Sequence, residues 1–203
     1  TRFVADQPEP RGFVIIARKG SKTLYPLQAC LFLSKTPVQH VHNLIIAEEG
    51  AELHIISGCA SASYTKTGSH VGVSEFYVGK GARVTSTMIH NWGEEISVFP
   101  RSAALVEEDG VFLSNYVCMQ PVRKIQMAPV AYLKGRNAIG RFSSITVTTP
   151  GSYMDLGSVV HLSAEGTGAE LLTRAITTGG TLISRGLMEG EVGHTKGHIE
   201  CKG

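Results

Sequence analysis

Leu44-Ile45-Ile46-Ala47-Glu48-Glu49-Gly50-Ala51-Glu52-Leu53-His54-Ile55 is a short apolar run, a charged turn closing on glycine, and a second run in which apolar and polar residues alternate. Period-two alternation bounded by a glycine turn is strand patterning. The same unit returns as Phe76-Tyr77-Val78-Gly79-Lys80-Gly81-Ala82-Arg83-Val84 and as Ala104-Leu105-Val106-Glu107-Glu108-Asp109-Gly110-Val111-Phe112-Leu113. Weaker copies surround Gly135 to Gly140, Gly166 to Gly168 and Gly190 to Gly193. The glycines at 50, 81 and 110 are 31 and 29 residues apart. One such unit cannot bury its apolar face alone, so a repeat of this period predicts coils stacked on one another. The expected fold is all-β, a parallel β-helix, with inward side chains stacked from coil to coil around a narrow interior.

Outward from the central copies, residues 1–11 are polar with Pro8 and Pro10 and are expected to form a leading arm. Residues 12–203 are expected to form a single β-helical domain. Phe13 to Ala17, Ala29 to Leu33, Val130 to Leu133, Ser144 to Thr148 and Val159 to Leu162 have the length and β-branched content of strands. Ala169 to Thr177 falls on the repeat and is also read as a strand.

The composition excludes several functions. Nineteen basic and 17 acidic residues leave a formal charge of +2, which is no electrostatic footprint for nucleic acid or an anionic membrane surface. No apolar run reaches the roughly 18 residues of a membrane span. No Gly-x-x-x-x-Gly-Lys-Ser/Thr loop is present, so ATP is not expected on this chain. No Gly-x-Ser-x-Gly elbow points to hydrolysis. Cys30, Cys59, Cys118 and Cys201 are widely spaced and form no Cys-x-x-Cys pair. Free thiols in a reducing cytoplasm are the expectation.

Five short elements, in order, carry a resemblance to a known family. They are Asn43 to Leu53 followed by Gly58-Cys59-Ala60, then His90-Asn91-Trp92, Asp155-Leu156-Gly157-Ser158 with His161, Ser184-Arg185-Gly186-Leu187, and His198-Ile199-Glu200-Cys201. Together they resemble the SufB/SufD core proteins of the SUF iron–sulfur cluster assembly system, over roughly residues 40–203, and the SufB branch more than the SufD branch. The resemblance implies a right-handed parallel β-helix. It implies an assembly scaffold rather than an enzyme, which receives sulfur from a donor protein and holds a transient iron–sulfur cluster. Its implied partners are a SufC-type ATPase and either a second copy of itself or a SufB/SufD paralogue. Set against the family, this chain is expected to be the β-helical core without the flanking helical parts.

The same resemblance assigns candidate residues. Cys201 is the first candidate for sulfur chemistry and for an iron ligand, because a thiolate does both; Glu200 is paired with it as a candidate metal ligand. Cys59, after Gly58 at a strand end, is the implied arrival point of sulfur. His90 and Trp92 alternate about Asn91, share a face, and are expected to line an inner path with Arg101, whose cation would hold an anionic persulfide. Cys30 and Cys118 match no motif and are read as structural, and His161 as a satisfied core histidine. Two other readings stand beside this one. One is a β-helical interaction module without sulfur chemistry. The other is a cupin-like mononuclear metal enzyme built on His40 and His42, although Glu48 and Gly50 miss the cupin spacing.

Overall fold

The computed structural model describes residues 11–33, 38–62, 65 and 67–203. The expected arm over residues 1–11 therefore lies outside the described residues except for Arg11. Fifteen strands and no helix occur among the described residues, and every pairing is parallel. The strands form two sheets that the chain visits alternately, as a β-helix requires.

The first sheet contains β1 (Val14–Ala17), β3 (Val38–Ala47), β5 (Gly68–Val78), β7 (Ile96–Val106), β9 (Lys124–Met127), β10 (Val130–Leu133), β12 (Tyr153–Leu162) and β14 (Thr181–Gly190). β9 and β10 are two halves of one coil position, both lying between β7 and β12, interrupted at Ala128 and Pro129. The second sheet contains β2 (Leu27–Leu33), β4 (Glu52–Ser61), β6 (Arg83–Asn91), β8 (Val111–Cys118), β11 (Ile139–Thr148), β13 (Gly168–Thr177) and β15 (Lys196–Lys202).

The turn that defines the repeat places one residue per coil in the left-handed region: Gly20, Gly50, Gly81, Asp109, Asn137, Gly166 and His194. From the sequence Gly110 is the expected third member, and the fourth is expected between Gly135 and Gly140. The structure places the third at Asp109 and the fourth at Asn137, within that bracket. Short polar side chains tolerate this conformation because they hydrogen-bond locally, and Asn137 Nδ2 donates to Asp109 Oδ1 at 3.0 Å on the neighbouring coil. The next position stays small for a different reason: Ala51, Ala82 and Ala138 are fully buried. At Gly110 a Cβ would lie 2.9 Å from Val106 Cγ1 and from the Glu107 carbonyl.

The interior divides into two apolar clusters. One lies beside the left-handed turns and includes Phe76, Phe112 and Phe142, stacked on consecutive coils with ring centroids 4.9 and 6.0 Å apart. The other lies at the opposite edge around Leu33, Cys59, Trp92, Ile96, Val98, Ile125 and Met154. Fully burying a side chain such as Ile125 contributes roughly 1.5–3 kcal/mol, and each coil repeats that gain. Between the two clusters the inward positions are mostly small or polar, among them Asn43, Ser74 and Ser102 on the first sheet and Ser86 and Ser114 on the second. The helix is therefore greasy at both edges and polar along its middle.

Candidate functional site

Parallel in-register stacking turns inward residues into files that run from coil to coil. On the second sheet one file is Leu31, Cys59, His90, Cys118, Thr146 and Ala175. The adjacent inward file, two residues upstream on each strand, is Ser57, Met88, Tyr116, Ser144, Thr173 and Cys201. At about 4.8 Å per strand, five steps along that file cover about 24 Å. A cavity of about 90 Å³ follows the files and is lined, among others, by Cys59, His70, Met88, Ser144, Ser158 and Thr173. That volume exceeds severalfold what one water requires, and the lining offers polar partners to hold several waters.

Cys59 and Cys201 both face this interior, in different settings. Cys59 lies two residues from the end of β4, close to the expected strand end, and is 2% exposed. Its Sγ is 3.6 Å from Met88 Sδ. Burial, helped by the neighbouring Cys30 thiol, pushes its pKa up to about 12. Cys201 sits on β15, is exposed, and lies 3.4 Å from the hydroxyl of Ser184 on β14. Ser184 belongs to the opposite sheet, so the Cys201 thiol points across the interior.

His90 and Trp92 share the inward face as expected, and both are buried. The His90 ring meets Trp92 edge-on at 5.6 Å and Tyr116 at 5.0 Å, and His90 Nδ1 is 2.9 Å from the Tyr116 hydroxyl. Burial, then the neighbouring His70, lowers the His90 pKa to about 3, so the ring is neutral at pH 7. Trp92 Nε1 is buried with no hydrogen-bond partner among the described residues.

Arg101 does not stand inside the column. Pro100, Ser102 and Ala104 hold the inward positions of β7, and Arg101 lies between them on the outer side, exposed. It borders the cavity at the interruption between β9 and β10. There its Nη1 donates to the carbonyls of Pro100 at 2.9 Å and Gln126 at 2.7 Å. Strand alternation, invisible without the strand's register, reverses the expected direction.

Glu200 and Cys201 do not converge either. Consecutive strand residues face opposite ways, and Glu200 lies on the outer face with Lys202 Nζ at 2.6 Å, Arg174 Nη2 at 2.9 Å and His198 Nε2 at 3.9 Å. The hydrogen bonds from Lys202 and Arg174 pull its pKa down to about 2. His40 and His42 share the outer face of β3, with His42 Nε2 3.2 Å from Glu75 Oε1. Among the described residues no group of three His, Cys, Asp or Glu side chains is placed to hold a metal. A helix of parallel strands also differs from the antiparallel double sheet of cupins, and the cupin reading falls with the fold.

Two sequence elements meet on the outer face. The Asp155 carboxylate, buried, accepts from Arg185 Nη1 at 2.6 and 2.9 Å across neighbouring coils. His161 is not a core residue: it stacks flat on Tyr132 at 4.9 Å and faces Glu189 at 3.0 Å on the outside.

The sequence reading missed two interior residues. Cys118 directly follows His90 in the Cys59 file; it is buried, and burial raises its pKa to about 11. His70, on β5, lines the cavity from the facing sheet. A period-two reading of β5 that placed His70 with Gly72, Ser74 and Phe76 on one face would have found it.

Comparison with known proteins places these features among relatives. The family described as "SUF system FeS cluster assembly, SufBD core domain" matches residues 31–201. An "iron-sulfur cluster assembly SufBD family protein" of Archaeoglobus fulgidus is 45% identical over 200 residues, 98% of this chain and 54% of the relative. A homologue of the same description from Methanothermobacter thermautotrophicus strain Winter is 45% identical over 197 residues, 96% of this chain and 48% of the relative. One from Pyrococcus horikoshii is 29% identical over 192 residues, 94% and 43% of the two chains. The chain thus spans about half the length of the curated relatives it matches.

Proposed function

The chain belongs to the SufBD family of iron–sulfur cluster assembly proteins, and from that premise we propose that its β-helix conducts sulfur internally from Cys59 to Cys201, where a cluster is assembled. The observation that carries this reading is the continuous pair of inward files between the two thiols, with a cavity between two apolar clusters that runs from Cys59 to Thr173, the neighbour of Cys201 in its file.

Cys59 accepts sulfur as a persulfide. Met88 and Tyr116 carry the wall on to Ser144, Thr173 and Cys201. A hydrosulfide ion takes the outer sulfur from Cys59 as hydrodisulfide, freeing the Cys59 thiol, and yields that sulfur to the Cys201 thiol with hydrosulfide regenerated, so each S–S bond forms as another breaks; hydroxyls of Ser144, Thr173 and Ser184 donate to the anion as it passes. Cys201, open to solvent beside Ser184, is the thiolate that ligates iron; Glu200, on the other side of the strand, does not share that site. Iron and sulfur are cargo here and not a resident cofactor. His90 and Trp92 shape the sealed end, with His90 held neutral so that no cation traps the moving sulfur. The whole protein works in the cytoplasm with a sulfur donor, a SufC-type ATPase supplying the energy, and a second SufB/SufD-like subunit, and this chain is the SufB-like member.

Anaerobic reconstitution of the full-length protein with iron and sulfide tests the assignment. Cluster yield, read by visible absorption, falls at least fivefold in Cys201→Ala and is unchanged in Cys30→Ala. Equal yields in the two variants contradict it.

A further inference from the structure

Cys59 carries a chemical difficulty that its own file does not solve. It is a buried neutral thiol, and its sulfur must lose the proton to attack. A proton acceptor must therefore face the same cavity.

His70 faces that cavity. It is 2% exposed and lines the cavity from the sheet opposite Cys59. Its tautomer is set by a chain of hydrogen bonds. Gln39 Nε2 donates to the Phe32 carbonyl at 3.3 Å, which turns Gln39 Oε1 toward His70 Nδ1 at 2.8 Å. An amide oxygen only accepts, so Nδ1 carries the hydrogen and the lone pair is on Nε2. Nε2 lies over Gly72, where a Cβ would come within 2.8 Å of it, so the glycine leaves the lone pair open toward the cavity. The His70 ring lies 4.9 Å from Trp92, which also packs against His90, the neighbour of Cys59 in its file. His90 is a poorer base: its Nδ1 meets a phenol that both donates and accepts, so nothing fixes where its lone pair points.

We propose that His70 is the acid–base partner of Cys59, taking the thiol proton on Nε2 directly or through one cavity water. The proposal rests on the reading that Cys59 receives sulfur from a persulfide donor. The Cys59 proton moves to Nε2 as the Cys59 sulfur attacks the outer sulfur of the donor persulfide, in one step, because a base with a pKa of about 4 does not hold the proton of a thiol with a pKa of about 12 ahead of attack, and a new S–S bond forms as the donor's breaks. The departing donor thiolate takes the proton back from the imidazolium. The balance is one thiol and one persulfide exchanged for one persulfide and one thiol, with no net oxidation. The titratable groups around His70 are His40 on β3, Cys59 on β4, His90 on β6, and Tyr116 and Cys118 on β8. Burial, then His40, lowers the His70 pKa to about 4, which keeps the ring unprotonated at neutral pH.

The test uses methyl methanethiolsulfonate, a small neutral thiol reagent, on the full-length protein, with modification at Cys59 followed by peptide mass spectrometry from pH 6 to 8. With His70 as base the wild-type rate is nearly flat across this range. His70→Gln is expected to slow it at least tenfold at pH 7 and to give a rise of about tenfold per pH unit, as for a thiol that must ionise on its own. Gln39→Leu, which keeps His70 but removes the amide that fixes its tautomer, is expected to slow it severalfold. A wild-type rate that itself rises tenfold per pH unit overturns the proposal. So does an unchanged profile in either variant, or loss of the flat profile in His90→Gln but not in His70→Gln. If His70→Gln does not fold, by circular dichroism, the wild-type profile and Gln39→Leu decide. The reagent carries no persulfide, so the outcome is independent of whether sulfur travels to Cys201.

Discussion

The two ends of the interior differ in almost every property except direction. Cys59 and Cys201 both point inward from the second sheet, two register positions apart. Cys59 is sealed between aromatic and aliphatic neighbours, with two buried neutral histidines close by. Cys201 is exposed, its nearest polar neighbour a serine hydroxyl. On the proposed reading the contrast separates two tasks: protecting a reactive sulfur needs a closed chamber, whereas meeting iron needs an open one. A scaffold made of repeated coils provides both by changing which side chains fill the same file.

Thiol access tests this contrast with the largest expected effect. A bulky charged maleimide should label Cys201 at least a hundredfold faster than Cys59, read by peptide mass spectrometry; comparable rates would erase the distinction between the two ends.

Acid should weaken the sealed end selectively. His70 and His90 have native pKa values near 4 and 3, below the 6.5 of an exposed histidine. Below pH 6.5 the unfolded chain takes up protons that the folded chain refuses, so stability falls as pH drops from 6.5 toward 4. For His70 alone the loss is of order 3 kcal/mol. Denaturant melts at pH 7, 5.5 and 4.5 should show it, and His70→Gln should flatten the dependence.

Two inward glycines sharpen the comparison. Gly72→Ala sets a Cβ 2.8 Å from His70 Nε2 in the closed chamber and should cost about 1–3 kcal/mol. Gly186→Ala, near Cys201, meets only Ile199 and Leu171 methyl groups at 3.3 Å and should cost less than about 1 kcal/mol, because the end coil can yield. Equal costs would mean the two ends are packed alike. The smallest effect is expected from Glu200→Gln, which should leave cluster yield within twofold of wild type in the reconstitution that Cys201→Ala disables.

Much of the fold was legible because the repeat is written in local chemistry. Alternating strands and one left-handed turn per coil locate β3 to β8 without long-range information. The turn residue is Asp109 and not the adjacent Gly110 because αL geometry admits Asp, Asn and His as well as glycine. The site was less legible because files depend on coil length. Cys59 to His90 is 31 residues and His90 to Cys118 is 28, so no fixed period aligns the three. Arg101 and Glu200 fit the chemistry expected of them, but each sits one residue out of phase with the interior. His70 stands on the facing sheet, where only the closed coil brings it to the cavity.

The central claim, that sulfur reaches Cys201 through the interior, is tested most directly by loading the full-length protein from a sulfurtransferase carrying labelled sulfur and following persulfide at each cysteine by mass spectrometry. Label should appear at Cys59 before Cys201, and Cys59→Ser should abolish it at Cys201. Wild-type labelling of Cys201 in Cys59→Ser would contradict the account.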